Sequence, residues 1–342
     1  MSRASKRSLG ATAVALLLVA GGAGPTQADP VADFYRGKTV TVLVGVGVGG
    51  EYDIHTRLLA RHLGKHIPGN PTVVAQNMTG AGGLNMANYL FNVAPKDGTA
   101  IGVLGNNFPS QQAIGGKGIR FDASGFGWIG SIAPTVETMA VWKTAGVRTI
   151  DDARKKVVIA GATGRTAITF VLPTILNELI GTKFKIVTGF QGGNAINLAM
   201  ERGEVDARNN TWSSWKVTKA AWLANKDIYI LVQAGPKAKD LPGVPTLDEL
   251  IKNDDDRKVA ALITSGTRLG RPLAAAPGVP AERLRALRAA FDAAMKDPEF
   301  LKETAAAKVE VDPVRGEAMQ QVVADVLATP QPLKDRAKKL IE

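Results

Sequence analysis

The sequence predicts an α/β protein of two domains with a cleft between them, and three observations predict it. Short apolar, β-branched runs alternate with glycine-rich turns and helical patterns, first over residues 39–104 and again over about 149–207. The glycine turns follow strands, at the sheet edge where open α/β sheets take ligands. The chain beyond its first 28 residues, about 310 long, is at the upper limit for a single core.

The first half starts from a strand over 39–44, where β-branched and apolar residues follow one another. Gly45, Gly47, Gly49 and Gly50 then allow a tight turn, and the helix after it opens with N–H groups that have no partner inside the helix and attract anions. Read as structure alone, this stretch is only a glycine-rich connection. A strand over 72–77, a turn through Gly80, Ala81, Gly82 and Gly83, a helix to Val93 and a strand over 99–104 complete a βαβαβ pattern. In the loop that follows, the amides of Asn106 and Asn107 either meet a ligand or stabilise the turn.

Strands over 128–133 and 139–142 carry the chain into the second half. A helix from about Thr149, a strand over 157–160 and the loop 161–165 lead to a helix with Ile168, Val171, Leu172, Ile175 and Leu179 on one face, in which Pro173 implies a kink or a late start. A strand over 184–187, a helix over 193–202 and a strand over 205–207 repeat the pattern. Asn209, Asn210, Trp212 and Trp215 come next, then a strand over 228–233. After a proline-fixed turn at 240–246, strands are expected at 260–264 and 272–275, crossing back to the first domain. A helix from Pro280 then carries Leu284, Leu287, Phe291 and Met295 on one face. The resulting division is residues 29–131 plus 260–342 for domain 1 and 132–259 for domain 2.

Residues 1–28 read as an export signal. Arg3, Lys6 and Arg7 precede an apolar run too short and glycine-rich to span a bilayer well, and Thr26, Gln27 and Ala28 offer small residues for cleavage. The mature chain is expected to begin at Asp29, in the periplasm. No cysteine occurs, so neither a lipid-modified cysteine nor disulfides are available and stability rests on core burial. The net charge of +11 includes three cations and no acid in the first 28 residues, leaving +8, a hint of an acidic ligand. The cations are scattered without interleaved aromatics, which argues against nucleic acid.

Enzyme chemistry finds little support. Gly45, Gly47 and Gly50 satisfy GxGxxG after a strand, but the second strand ends in Gln76 and Asn77 and lacks the acid that binds a ribose. The three histidines, His55, His62 and His66, are expected on one helix and exposed; no GxSxG accompanies them. His62 and His66 stand one turn apart, yet no further zinc ligand is evident. No catalytic residue, cofactor or metal is expected. An exported dinucleotide-binding enzyme and a ligand-sensing partner of a membrane signalling protein remain as alternatives.

The strand, glycine turn and Asp53, then VAQNMTGAGGLN from Val74, APKDGT from Ala94, FQGG from Phe190, GEVDA from Gly203, LPGVPTLDEL from Leu241 and APGVPAERLRALRAAF from Ala276, resemble in order the tripartite tricarboxylate transporter receptor family. These are extracytoplasmic solute-binding proteins, also called the Bug family. The resemblance implies a type II periplasmic-binding-protein-like fold of two α/β domains with the ligand between them. It also implies capture of a small carboxylate, nicotinate-like acid or amino acid and delivery to the integral membrane permease subunits of a tripartite carrier; the chain is expected to act as a monomer.

In that family two loops, one per domain, hold carboxylates largely through backbone N–H groups and water. They match Val48, Gly49, Gly50, Tyr52 and Asp53 on one side and Thr163, Gly164, Arg165 and Thr166 on the other. Here Gly47 and Val48 stand where prolines usually precede the glycine pair, and Arg165 stands in a loop that is usually neutral. From chemistry alone, Arg165 either grips an anion in bidentate fashion or pairs with an acid at the surface. Asn106 and Asn209, Asn210 and Tyr52 have similar alternatives, ligand contact against packing or turn duty. Side chains at Gly49 and Gly50 are expected to obstruct the turn's N–H groups most.

Overall fold

The computed structural model describes Met1 and residues 29–341; the export-signal reading of residues 1–28 lies outside the described residues except for Met1. In chain order the elements are α1 (Pro30–Tyr35), β1 (Thr39–Val44), α2 (Glu51–Leu63), β2 (Thr72–Asn77), α3 (Leu84–Asn92), β3 (Ala100–Val103), α4 (Phe108–Ala113), β4 (Gly127–Ser131) and β5 (Glu137–Trp142). There follow α5 (Ile150–Lys155), β6 (Val158–Ala162), α6 (Ile168–Ile180), β7 (Phe184–Thr188), α7 (Gly193–Glu201), β8 (Ala207–Thr211), α8 (Trp212–Thr218), α9 (Ala220–Ala224) and β9 (Ile228–Ala234). The chain closes with α10 (Leu247–Leu250), α11 (Asp254–Thr264), β10 (Leu273–Ala275), α12 (Ala281–Ala294), α13 (Pro298–Ala306), β11 (Val314–Arg315), α14 (Gly316–Leu327) and α15 (Gln331–Ile341).

The strands form two sheets, in the orders β11-β4-β10-β3-β1-β2 and β7-β6-β8-β5-β9. In the first, β1 runs parallel to β2 and β3 while β10 returns antiparallel between β3 and β4. In the second, β6 is parallel to β7 and β8, and β5 is antiparallel to β8 and β9. Two mixed α/β sheets are the fold class that the alternating pattern predicts. The carboxyl ends of β1, β2, β3, β6 and β7 lead into turns that contain glycine, at the edge where open α/β sheets take ligands, whereas β8 runs directly into α8.

Local chemistry explains several elements. Thr149 and Asp152 form a capping box at the start of α5, and Thr246 and Glu249 do the same for α10. Helix α2 buries Leu58, Leu59 and Leu63 in a cluster that includes Val40 and Val42 of β1 and Leu287 and Phe291 of α12, so its first turn is held rigidly at the sheet edge.

Three expectations need correction. The strand expected at 260–264 is the end of helix α11: the Asn253 side chain accepts from the Asp255 N–H, three aspartates fill the first turn, and Val259, Ala260, Leu262 and Ile263 are buried at helical spacing. A domain boundary at 259/260 would therefore cut this helix, which packs on α15, and α15 in turn packs on α6. Helix α6 begins at Ile168 and continues through Pro173. The strand read at 205–207 extends over Ala207–Thr211, so Asn209 and Asn210 are sheet residues rather than loop residues.

Candidate functional site

The loops after β1, β2 and β3 face those after β6 and β7 and the end of β8 across a cavity of about 110 Å³. That is several times the volume that one water needs. The sheets meet there through direct bonds: the Gly47 N–H donates to Gln191 O at 3.0 Å, Asn107 Nδ2 to Thr166 O at 2.5 Å and Asn106 Nδ2 to Glu137 Oε1 at 3.2 Å. Glycines permit this approach. A Cβ on Gly164 would stand 2.9 Å from Ala81 C and Gly82 N, and one on Gly192 would stand 3.0 Å from Gly47 N.

The predicted ligand residues divide into two groups. Gly49, Gly50, Tyr52, Asn106, Thr163, Asn209 and Asn210 line the cavity, and the Asn210 amide nitrogen is buried there with no hydrogen-bond partner among the described residues. The other five stand elsewhere. Val48 is 65% exposed and outside the cavity. Asp53 is buried beneath the turn, where Oδ2 accepts from the Gly49 N–H at 3.0 Å, Arg57 Nε donates to both carboxylate oxygens at 3.0 Å and Asn77 Nδ2 to Oδ1 at 2.9 Å. Burial raises the Asp53 carboxyl, but those donors outweigh it and hold the group below the usual carboxylate range. Asp53 thus props the turn. Gly164 is a point of contact between the two loops, and Thr166 contributes its carbonyl to Asn107.

Arg165 is the largest departure. Its side chain is exposed, outside the cavity, and lies 5.4 Å from the Phe170 ring centre, in the manner of a cation over an aromatic face. Gly50 also differs from expectation, because a Cβ there would meet only Gly47 O at 3.9 Å. Gly49 is the constrained position: its φ is +81°, and a Cβ on it would stand 3.1 Å from Asn194 Nδ2.

Four buried charged residues line the cavity and escape the sequence reading: Glu51, Glu137, Arg208 and Arg271. Glu51 opens α2, and its Oε2 accepts from Arg271 Nη2 and, at 2.6 Å, from Thr211 Oγ1. Burial pushes the Glu51 carboxyl up; Arg271, His55, Thr211 and Ser213 together bring it below its ordinary value. Glu137, at the start of β5, accepts from Asn106 and, at 2.8 Å, from Asn209 Nδ2, and its burial keeps the carboxyl raised. Arg208, brought down to about 10 by burial, donates to the backbone carbonyls of Asn209 and Gly193 and to Asn197 Oδ1. A signal for the strand residues existed: Glu137 and Arg208 interrupt otherwise neutral strand segments, and a charge inside a buried strand needs a reason.

The histidines are not exposed. His62 Nε2 sits 2.6 Å from Glu303 Oε2 and His66 Nε2 sits 2.8 Å from Asp297 Oδ2, tying α2 and the 3₁₀ turn at Gly64–His66 to α13 and its cap; His66 therefore stands past the end of α2. His55 is buried behind the cavity, with Nε2 at 3.4 Å from Glu51 Oε1. Burial, then the Arg271 charge, pulls its pKa from 6.5 down to about 4. The unfolded chain therefore binds a proton between those pH values that the folded chain refuses, so His55 makes stability fall as pH drops from about 6.5 to 4. The loss amounts to about 3 kcal/mol. Urea unfolding at pH 7 and pH 4.5 should show this slope in the parent and a shallower one in His55→Leu. Equal slopes would remove His55 as the cause.

No protein-family model matches the chain, and no curated protein matches it. Solved structures do. The periplasmic binding protein BugD is 19% identical with a TM-score of 0.71, over 90% of this chain and 98% of that one. A protein of R. palustris solved with adipate is 19% identical with a TM-score of 0.68, over 88% and 97%. MatC from Rhodopseudomonas palustris, solved with bound malate, is 19% identical with a TM-score of 0.67, over 89% and 99%. Together with the paired sheets and the cavity between them, these likenesses establish that this chain has the two-domain α/β fold of periplasmic binding proteins.

Proposed function

We propose that the chain is an exported receptor of the tripartite tricarboxylate transporter type. In this reading a monomer captures a small carboxylate between two domains, one built on each sheet, and delivers it to membrane permease subunits. The observation that carries this reading is the cavity itself, set between the two sheets and lined at one wall by the Asn210 amide nitrogen, which has no hydrogen-bond partner among the described residues. The first turns of α2 and α7 border the same space and favour negative charge. Structural neighbours solved with adipate and malate support the ligand class.

The test is a thermal-shift screen of residues 29–342 against mono-, di- and tricarboxylates, with NAD as the competing class. A carboxylate at a hundredfold excess over its Kd should stabilise the protein by about 2.7 kcal/mol, roughly 5 °C for a chain of this size. A shift with NAD and none with any carboxylate would defeat the proposal.

A further inference from the structure

His62 and His66, one turn apart and without a further metal ligand in the sequence near them, meet such ligands in the fold. The backbone stays helical from α2 into the 3₁₀ turn, so the two imidazoles share a face, and Asp297, Glu299 and Glu303 meet that face from α13 and its cap. One nitrogen of His62 and one oxygen each of Asp297 and Glu299 lie within 4.8 Å of one another. His66 Nε2, 2.8 Å from Asp297 Oδ2, adds a fourth donor. Ligands bound tetrahedrally to one zinc ion stand roughly 3.4 Å apart, so a turn of the exposed Glu299 side chain is enough to close the set.

Two further observations point to a cation here. The donors are oriented from behind: the His62 ring meets the Phe300 ring edge to face with centroids 5.6 Å apart, and Asp297 Oδ1 accepts from the Glu299 N–H at 2.9 Å, which leaves Oδ2 to the histidines. A cation also sits among the carboxylates already, since Lys65 Nζ is 2.7 Å from Asp297 Oδ2 and 2.5 Å from Glu299 Oε2. The Lys65 side chain is 42% exposed and its pairs are weak ones, so a more highly charged ion displaces it at little cost. We propose that this cluster binds a divalent transition-metal ion of the zinc class through His62, His66, Asp297 and Glu299, in the place of the Lys65 ammonium. Mixed imidazole and carboxylate donors suit zinc, whereas calcium and magnesium take oxygen alone. Bound there, the ion clamps α2 to α13. None of the four ligands lines the cavity, so the proposal stands apart from the carboxylate reading.

Isothermal titration of residues 29–342, carrying no affinity tag and freed of metal with EDTA, tests it with zinc chloride. One equivalent should bind with a Kd of about 10 μM or tighter and raise the melting temperature. Cobalt chloride in its place should give the visible absorption of a four-coordinate ion. His62→Ala and His66→Ala should each weaken zinc binding by about tenfold or more, whereas His55→Leu, which changes the histidine outside the cluster, should bind as the parent does. Lys65→Met removes the competing ammonium and should bind more tightly than the parent. Circular dichroism of each variant separates misfolding from a lost ligand, and Lys65→Met leaves all four ligands in place if a histidine variant fails to fold. A parent Kd weaker than about 10 μM overturns the proposal. So does zinc binding that survives in the folded double variant His62→Ala, His66→Ala, that disappears in folded His55→Leu, or that is no tighter in Lys65→Met.

Discussion

Replacing Arg271 with methionine is expected to cost about 3–5 kcal/mol of unfolding free energy, because it removes one partner of a buried ion pair. Glu51 is 5% exposed and Arg271 6% exposed, so the carboxylate left behind has little water to replace the guanidinium. Thr211 would still donate to Glu51, but a neutral hydroxyl does not replace the charge of the guanidinium. Arg271 also donates to Thr211 Oγ1 at 2.7 Å, so the same substitution loosens a contact between the two sheets. Urea unfolding at pH 7 measures the cost. The double variant Glu51→Gln, Arg271→Met should recover most of it, since removing both buried charges together avoids the stranded ion. A single-variant loss below about 1 kcal/mol would mean that Glu51 does not depend on Arg271.

Gly164→Val is expected to weaken ligand binding about 5- to 150-fold while leaving the fold intact. Its backbone is not in the left-handed region, so a side chain strains nothing locally. The obstruction is across the cleft, where a Cβ would stand 2.9 Å from backbone atoms of Ala81 and Gly82. Overpacking of this kind costs about 1–3 kcal/mol, and if the two sheets separate as domains the cost falls on the closed state alone. Each 1.4 kcal/mol is tenfold in affinity, which gives the stated range. Small-angle scattering should show a larger radius of gyration for Gly164→Val than for the parent, and calorimetry with the best carboxylate of the screen should show the weaker binding. Unchanged affinity in Gly164→Val would show that ligand binding does not require this contact.

Much of the architecture was legible because local chemistry specifies it. The β-branched run at Thr39–Val44, the glycines after it and the helical spacing of the α2 leucines act over a few residues each. The exception at Asp254–Thr264 has the same origin: β-branched Val259, Ile263 and Thr264 suggest a strand, while the Asn253 cap, the acidic first turn and burial at helical spacing decide for a helix.

The site was legible only in part. Backbone positions such as Gly49 and amides such as Asn106, Asn209 and Asn210 stand where strand-end geometry sends them, against the cavity. Arg165, beside a glycine in a loop at that same edge, turns outward over Phe170, whereas Arg208, inside a strand, faces the cavity. A sequence records that a residue is charged, but not which way its position faces once strands are in register.

By itself, then, the sequence determined the alternation of strands and helices, the placement of glycine turns at the carboxyl ends of strands and the two-sheet plan, since each follows from propensity and spacing. Only the tertiary structure decided how the charges meet. Glu51 and Arg271 are 220 residues apart in the chain, and Glu137 and Asn209 are 72 apart. Whether such a group is stabilised by a partner, left to a ligand or turned to water depends on desolvation and on distances of a few ångströms, and these are set when the two sheets pack around one cavity.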